Sequence, residues 1–223
     1  MRLKADNPVL AKAITIHPKM VKQPDQVAQM LKPASNNTKL GKGENIVIKG
    51  KWHGMPMFQL SLEERATCPS SCKQWDNCYG NNMFGAHRID HTHPEFYGIL
   101  GAEVSKLARR YKHGLVIRLH VLGDFFDENY VEFWKEQKRT YPWLELFGFS
   151  AHTPDSSIGK AIDELNQLGA WIRFSNAGSH PMSANVGTDH DGVTCPVQTN
   201  QTESCLTCGL CWSTPRNINF LEH

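Results

Sequence analysis

The chain has 223 residues, 40% hydrophobic and 21% charged, with a formal net charge of +2. That is enough for one domain with a substantial core, in a composition ordinary for a globular protein, so disorder is not the default. So small a charge is no signature of a nucleic-acid surface, and no run reaches the about 20 apolar residues of a membrane span, so no membrane partner is expected.

The first residues, MRLKADNPVLAKAITIHPK, carry charges without an apolar stretch. The expectation is no secretory signal and a cytoplasmic location, where thiols stay reduced. Pro24 opens a predicted helix to about Leu31, stopped by Pro33. Residues 45–61 read as a hairpin, with Ile46-Val47-Ile48 and Met57-Phe58-Gln59-Leu60 as its strands and His53-Gly54 near the turn. Residues 94–112 predict a helix, because Phe96, Ile99, Leu100, Val104, Leu107 and Tyr111 recur at helical spacing. A strand follows over 115–121, then a helix capped by Asp127, a strand over 144–150, a helix after Thr153-Pro154 ended by Gly169, and a strand over 170–175. The tail from Asn176 reads as irregular. Leu221-Glu222-His223 looks like a tag remnant and is set aside.

This order predicts an α/β protein with parallel strands, either a partial (β/α) barrel or an open parallel sheet. A single domain over 1–220 divides into an arm and hairpin (1–66), a first cysteine group (67–84), a β/α core (94–176) and a cysteine-rich segment (177–212).

All seven cysteines fall into two groups. Cys205-x2-Cys208-x2-Cys211 places three thiols within seven residues, and Cys195-Pro196 lies ten residues upstream. Closely spaced C-x2-C-x2-C runs with a remote Cys-Pro are a ferredoxin pattern, because tight turns converge three thiolates on one 4Fe-4S cube and a fourth closes it. Zinc is the alternative, since four cysteines also make a structural zinc site. The first group is Cys68-x3-Cys72-x5-Cys78, beside Tyr79. Three thiols suggest a cluster with an open corner, where substrate or a small molecule could bind. Seven thiols cannot fill two four-cysteine sites, so either one corner is open or only one cluster exists. His87, His91 and His93 are candidates for a non-thiol ligand. Trp75, Tyr79 and Phe84 are placed to shield a cluster from water.

The blocks ATCPSSCKQWDNCYGNN, RLHVLGDFFDENYVEFW and CPVQT with CLTCGLCW resemble, in that order, the gene product 88-like family carried by phages and plasmids. The resemblance spans roughly residues 38–212. It implies a distant similarity to radical S-adenosylmethionine enzymes, which are partial (β/α) barrels, and hence S-adenosylmethionine as a possible cosubstrate. The chain departs from that pattern: Cys78 is delayed by three residues, and Gly123-Asp124 stands where a Gly-Gly-Glu motif is usual.

Strand ends in an α/β layer point at one face, where ligands bind. Here they are Gly123-Asp124, Ser150-Ala151-His152 and Ser175-Asn176. Asp124 and His152 are the catalytic candidates, and Tyr79, Gly123, Asp124, Ser150 and Asn176 the cofactor-binding ones. Arg118 and His120 alternate with apolar residues of the first core strand, and an inward arginine needs an anionic partner. Two functions follow. One is a cluster-dependent redox or radical-type enzyme with a small-molecule substrate and an electron donor. The other is a metal-stabilised protein that binds nucleic acid or a host protein.

Overall fold

The computed structural model describes residues 1–175, 177–178, 180–187 and 191–222. In chain order the elements are α1 (Pro8–Lys12), β1 (Val21–Lys22), β2 (Lys32–Pro33), β3 (Met57–Gln59), β4 (Arg88–Ile89), α2 (Phe96–Arg110), β5 (Leu115–Leu119), α3 (Glu128–Thr140), β6 (Leu144–Ser150), α4 (Ser157–Gln167), β7 (Trp171–Ser175), β8 (Ser183–Val186), β9 (Val193–Thr194), α5 (Cys205–Cys208) and β10 (Ile218–Phe220). Eight strands make one sheet in the order β2-β3-β5-β6-β7-β8-β10-β9. All neighbours are parallel except β2, which runs antiparallel to β3. β2 and β9 are its edges, so the sheet does not close into a full barrel. β1 and β4 pair separately.

Alternation along the strands sorts the core into two layers. Leu115, Ile117, Leu119, Leu144, Leu146, Ile172 and Phe174 face the helices, where they meet Phe96, Leu100 and Val104 of α2, Tyr130, Val131 and Trp134 of α3, and Ile162 and Leu165 of α4. The three helices form in the predicted order because each carries an apolar stripe, although α4 starts at Ser157, later than the Thr153-Pro154 start that sequence suggests. The Asp127 carboxylate accepts the Tyr130 N–H at 2.7 Å, and Ser156 caps α4 through the Gly159 N–H at 3.0 Å. Met57, Val116 and Phe147 point to the opposite face, where they pack on Trp52, Leu206 and Trp212. All three β/α helices therefore share one face, leaving the other for the arm and the cysteine-rich segments.

Three expectations change. The predicted helix from Pro24 shrinks to a 3-10 turn, Pro24–Gln26. The reason is tertiary: the Glu103 carboxylate on α2 accepts the N–H groups of Met30 and Leu31 and holds that stretch extended. The first hairpin strand does not form either. Ile46 makes a single bridge to Pro56, while Ile48 and Lys49 give their N–H groups to Leu206 O, 3.0 and 3.2 Å away. The tail predicted as irregular adds β8, β9 and β10 to the sheet. No helix among the described residues is long and apolar enough to cross a membrane.

Candidate functional site

The first cysteine group lies on a chain of tight turns. Cys68 N–H bonds Arg65 O, Cys72 N–H bonds Pro69 O, Trp75 N–H bonds Cys72 O, and Asn81 N–H bonds Cys78 O. Two buried arginines brace it. Arg65 donates Nε to Trp75 O at 3.0 Å and Nη2 to Asn81 Oδ1 at 2.7 Å, while its Nη1 is buried without a partner. Arg88 pairs with the buried Glu64 at 2.8 Å and donates to the carbonyls of Gly80, Met83 and Ala86. Sequence reading missed both arginines; the signal was the charged pair Glu64-Arg65 set directly before a cysteine run.

The three thiols share one electrostatic environment. Burial pushes Cys68 well up, with Asp124, Cys72 and Cys78 adding to the rise. Burial lifts Cys72 to about 11, and Cys78 and Asp124 raise it further. Cys78 is also raised by burial, against which Arg65 and Arg88 pull. Tyr79 keeps 37% of its surface exposed, yet desolvation of its phenol raises it, with Arg118 pulling it down.

Two strand ends carry this group. Gly123, after β5, has φ +83, and a Cβ there would lie 2.6 Å from Thr67 Oγ1 and 2.7 Å from Leu62 Cβ. Only glycine lets the loop before Cys68 sit this close. Thr67 then accepts the Asp124 N–H at 3.1 Å and donates to Glu63 O at 2.8 Å. The Asp124 carboxylate joins the ends of β5 and β6, taking the N–H of Phe125 at 2.8 Å and that of Ala151 at 2.6 Å. Burial raises it to about 6, while His152, the two backbone donors and the Ser150 hydroxyl lower it. Ser150 accepts the His152 N–H at 3.2 Å, and His152 Nε2 donates to Phe125 O at 2.7 Å. Gly123, Asp124, Ser150 and His152 thus meet beside the first group. Ser175 ends β7, and Asn176 lies outside the described residues.

The histidine run takes other partners. His87 Nδ1 faces Lys32 at 3.2 Å, His91 packs on Phe126 with ring centres 4.6 Å apart, and His93 accepts the Glu95 N–H. His120, also flagged by sequence, is buried against Tyr130, whose hydroxyl lies 2.9 Å from Nε2. Burial, then Arg118, lowers it to about 3, so it is a neutral core histidine.

Cys195, Cys205, Cys208 and Cys211 together line one small cavity of about 10 Å³, with Pro196, Leu210 and Trp212. α5 is seated by backbone bonds from Cys205 to Lys39 O and from Leu206 to Leu40 O. Gly209 follows with φ +69, and a Cβ there would stand 2.6 Å from Lys49 O. Trp212 stacks on Trp52 at 5.4 Å beneath it. Arg173, fully buried on β7, donates to the carbonyls of Cys211, Thr214 and Arg216 and clamps the segment to the sheet. Cys195 N–H bonds Asn219 O on β10. Burial lifts Cys205 to about 11, opposed first by Arg118, and raises Cys208 and Cys211. All seven cysteines are free thiols. Among the described residues, no group of three or more His, Cys, Asp or Glu side chains is already set to hold a metal ion.

The molecule is therefore an α/β protein with a mostly parallel open sheet, helices on one face, and cysteine-rich loops at the other face and its strand ends. It belongs to the gene product 88 family: the model described as Gene product 88 matches residues 28–181. The match takes in the first cysteine group, Asp124 and His152, and stops short of Cys195–Cys211, so the closing block of the expected resemblance lies beyond it. No curated protein and no solved structure matches the chain.

Proposed function

We propose that the chain is an iron–sulfur protein whose cluster serves a redox or radical-type reaction on a small molecule. One observation carries the reading: four cysteines from two stretches of chain surround a single cavity. Cys195, Cys205, Cys208 and Cys211 would hold one 4Fe-4S cluster. Cys68, Cys72 and Cys78 would hold a second with one open corner. The donors around them fit such a group. Arg65 Nη1, within electrostatic reach of Cys72 and Cys78, and Arg118 Nε, on a side chain within reach of Cys205, are buried N–H groups without partners. Unpaired buried donors are costly, and thiolate or sulfide would satisfy them. A single zinc bonded at about 2.3 Å draws its four sulfurs to within about 3.8 Å of one another. A cube gives each of four thiolates its own iron and so asks for less convergence of the sulfurs than zinc does.

Bound, a cluster supplies one-electron transfer and, at a three-cysteine site, an iron able to take a further ligand. The surrounding residues do the rest. Trp52, Trp212 and Phe147 keep water from the second group, which tunes its potential. Asp124, titrating at about 6, can hold or release a proton beside Cys68 near neutral pH. S-adenosylmethionine is the cosubstrate to try first at the open corner.

The test is anaerobic purification with iron, sulfide and zinc analysis, then the visible spectrum with and without S-adenosylmethionine. The expected result is brown protein with equal iron and sulfide that loses colour in air. Stoichiometric zinc without sulfide would overturn the iron assignment. Cys208→Ser should lose metal and stability together, because ligand loss and folding are coupled; full metal content in that variant would remove the second group from the reading.

A further inference from the structure

Arg118 stands on β5 on the face opposite the helices, in register with Gln59 of β3 and Phe147 of β6. Its guanidinium carbon lies 5.7 Å from the centre of the Phe147 ring and 5.4 Å from that of Phe149. Its Nε is buried without a hydrogen-bond partner. The neighbouring Gln59 amide is engaged elsewhere, accepting from Asn37 at 3.1 Å and donating to Pro33 O at 3.3 Å. Among the described residues the arginines in ion pairs are Arg2, Arg88 and Arg139, and Arg118 is not one of them. The buried Arg65 and Arg173 are met by carbonyl and amide oxygens; Arg118 is a cation on an aromatic wall without an acceptor at its Nε.

A guanidinium held half-buried between rings costs free energy unless an anion meets it, and its planar fork matches the two oxygens of a carboxylate or phosphate. We propose that Arg118 is the binding determinant for the oxyanion of a small ligand, a carboxylate or phosphate seated against Phe147 and Phe149 on the face of the sheet opposite the helices. As a substrate site this rests on the cluster reading; as an anion site it stands on Arg118 and its surroundings. It goes beyond the cluster by naming the substrate class: an organic acid or a phosphorylated small molecule.

The test is calorimetric titration of the full chain, as purified anaerobically, with sodium benzoate and separately with inorganic phosphate. Benzoate reports a carboxylate whose ring can lie on Phe149, and phosphate reports the oxyanion alone. The same titrations are run on Arg118→Gln and Arg118→Lys. The expected result is one saturable site for at least one probe, weakened tenfold or more by Arg118→Gln and to a lesser degree by Arg118→Lys, which keeps the charge and loses the fork. No saturable binding to the unaltered chain overturns the proposal, as does equal affinity in Arg118→Gln. Where Arg118→Gln fails to fold, Arg118→Lys decides, and unchanged affinity there overturns it. Iron and sulfide measured on the same samples separate the two ideas. Arg118-dependent binding in iron-free protein leaves the anion site standing and removes the cluster; full iron without anion binding does the reverse.

Discussion

Replacing Gly123 by alanine strikes the junction between the sheet and the first cysteine group. At φ +83 an added Cβ meets the following carbonyl, at a cost of about 1–2 kcal/mol. The same Cβ would stand 2.6 Å from Thr67 Oγ1 and 2.7 Å from Leu62 Cβ. Neither neighbour yields easily. Leu62 Cβ is fixed to a backbone whose N–H is bound to Leu122 O at 2.9 Å. Thr67 is held by its bonds to Glu63 O and the Asp124 N–H. Relieving such overpacking costs a further 1–3 kcal/mol or so. Gly123→Ala should therefore lose about 2–5 kcal/mol in anaerobic urea unfolding, and, on the cluster proposal, its iron content should fall because Cys68 follows Thr67 directly. Thr67→Ala in the Gly123→Ala background removes one of the two clashing atoms, so the pair should couple by about 0.5–3 kcal/mol. A Gly123→Ala protein within about 0.5 kcal/mol of the parent would mean that the loop does not rest on this strand end, and the account of the first group would fail with it.

Arg173→Leu strips three carbonyls of their donor and should cost about 3–5 kcal/mol, read by denaturant unfolding, and on the cluster proposal metal is lost with it. Trp52→Ala removes a buried ring stacked at 5.4 Å on Trp212 and should cost about 3–5 kcal/mol in the same assay. The Asp124 carboxyl is raised to about 6, whereas in the unfolded chain it titrates near 3.9. Between those values the folded state keeps a proton that the unfolded state has lost. Stability should then fall by up to about 3 kcal/mol as pH rises from about 4 to about 6, and Asp124→Asn should flatten that fall when unfolding is compared at pH 4 and pH 7. In metal-free protein, Cys72 and Cys205, both near 11, should be alkylated at pH 8 about a hundredfold more slowly than a free thiol, measured by mass mapping against time.

The β/α core was legible because its signals are local. The stripe through Phe96, Leu100 and Val104 and the cap at Asp127 each lie within a few turns of chain, and the strand ends at Asp124 and Ser150 follow from them. What escaped reading depends on distant partners. Ile46-Val47-Ile48 has the composition of a strand, but while the Val47 N–H bonds Met55 O, the Ile48 N–H is claimed by Leu206, some 160 residues away. β8 and β10 carry little sequence signal, with Asn185 and Asn219 at paired positions, and become strands through the edge that β7 offers. Arg118 and Arg173 look alike in sequence, each inside an apolar strand. The carbonyls of Cys211, Thr214 and Arg216 occupy one and aromatic rings flank the other, and no local pattern distinguishes them.

β10 lies between β8 and β9, although it follows both in the chain. The sheet is therefore closed by insertion: β8 and β9 have no shared partner until residues 218–220 slide in between them. Cys195 hangs on Asn219 within that wedge, so the fourth wall of the cysteine cavity is built by the same event. Any cut upstream of Ile218 would leave three thiols near Trp212 and a fourth without its anchor. The last strand of the chain thus completes the sheet and the cysteine cavity together.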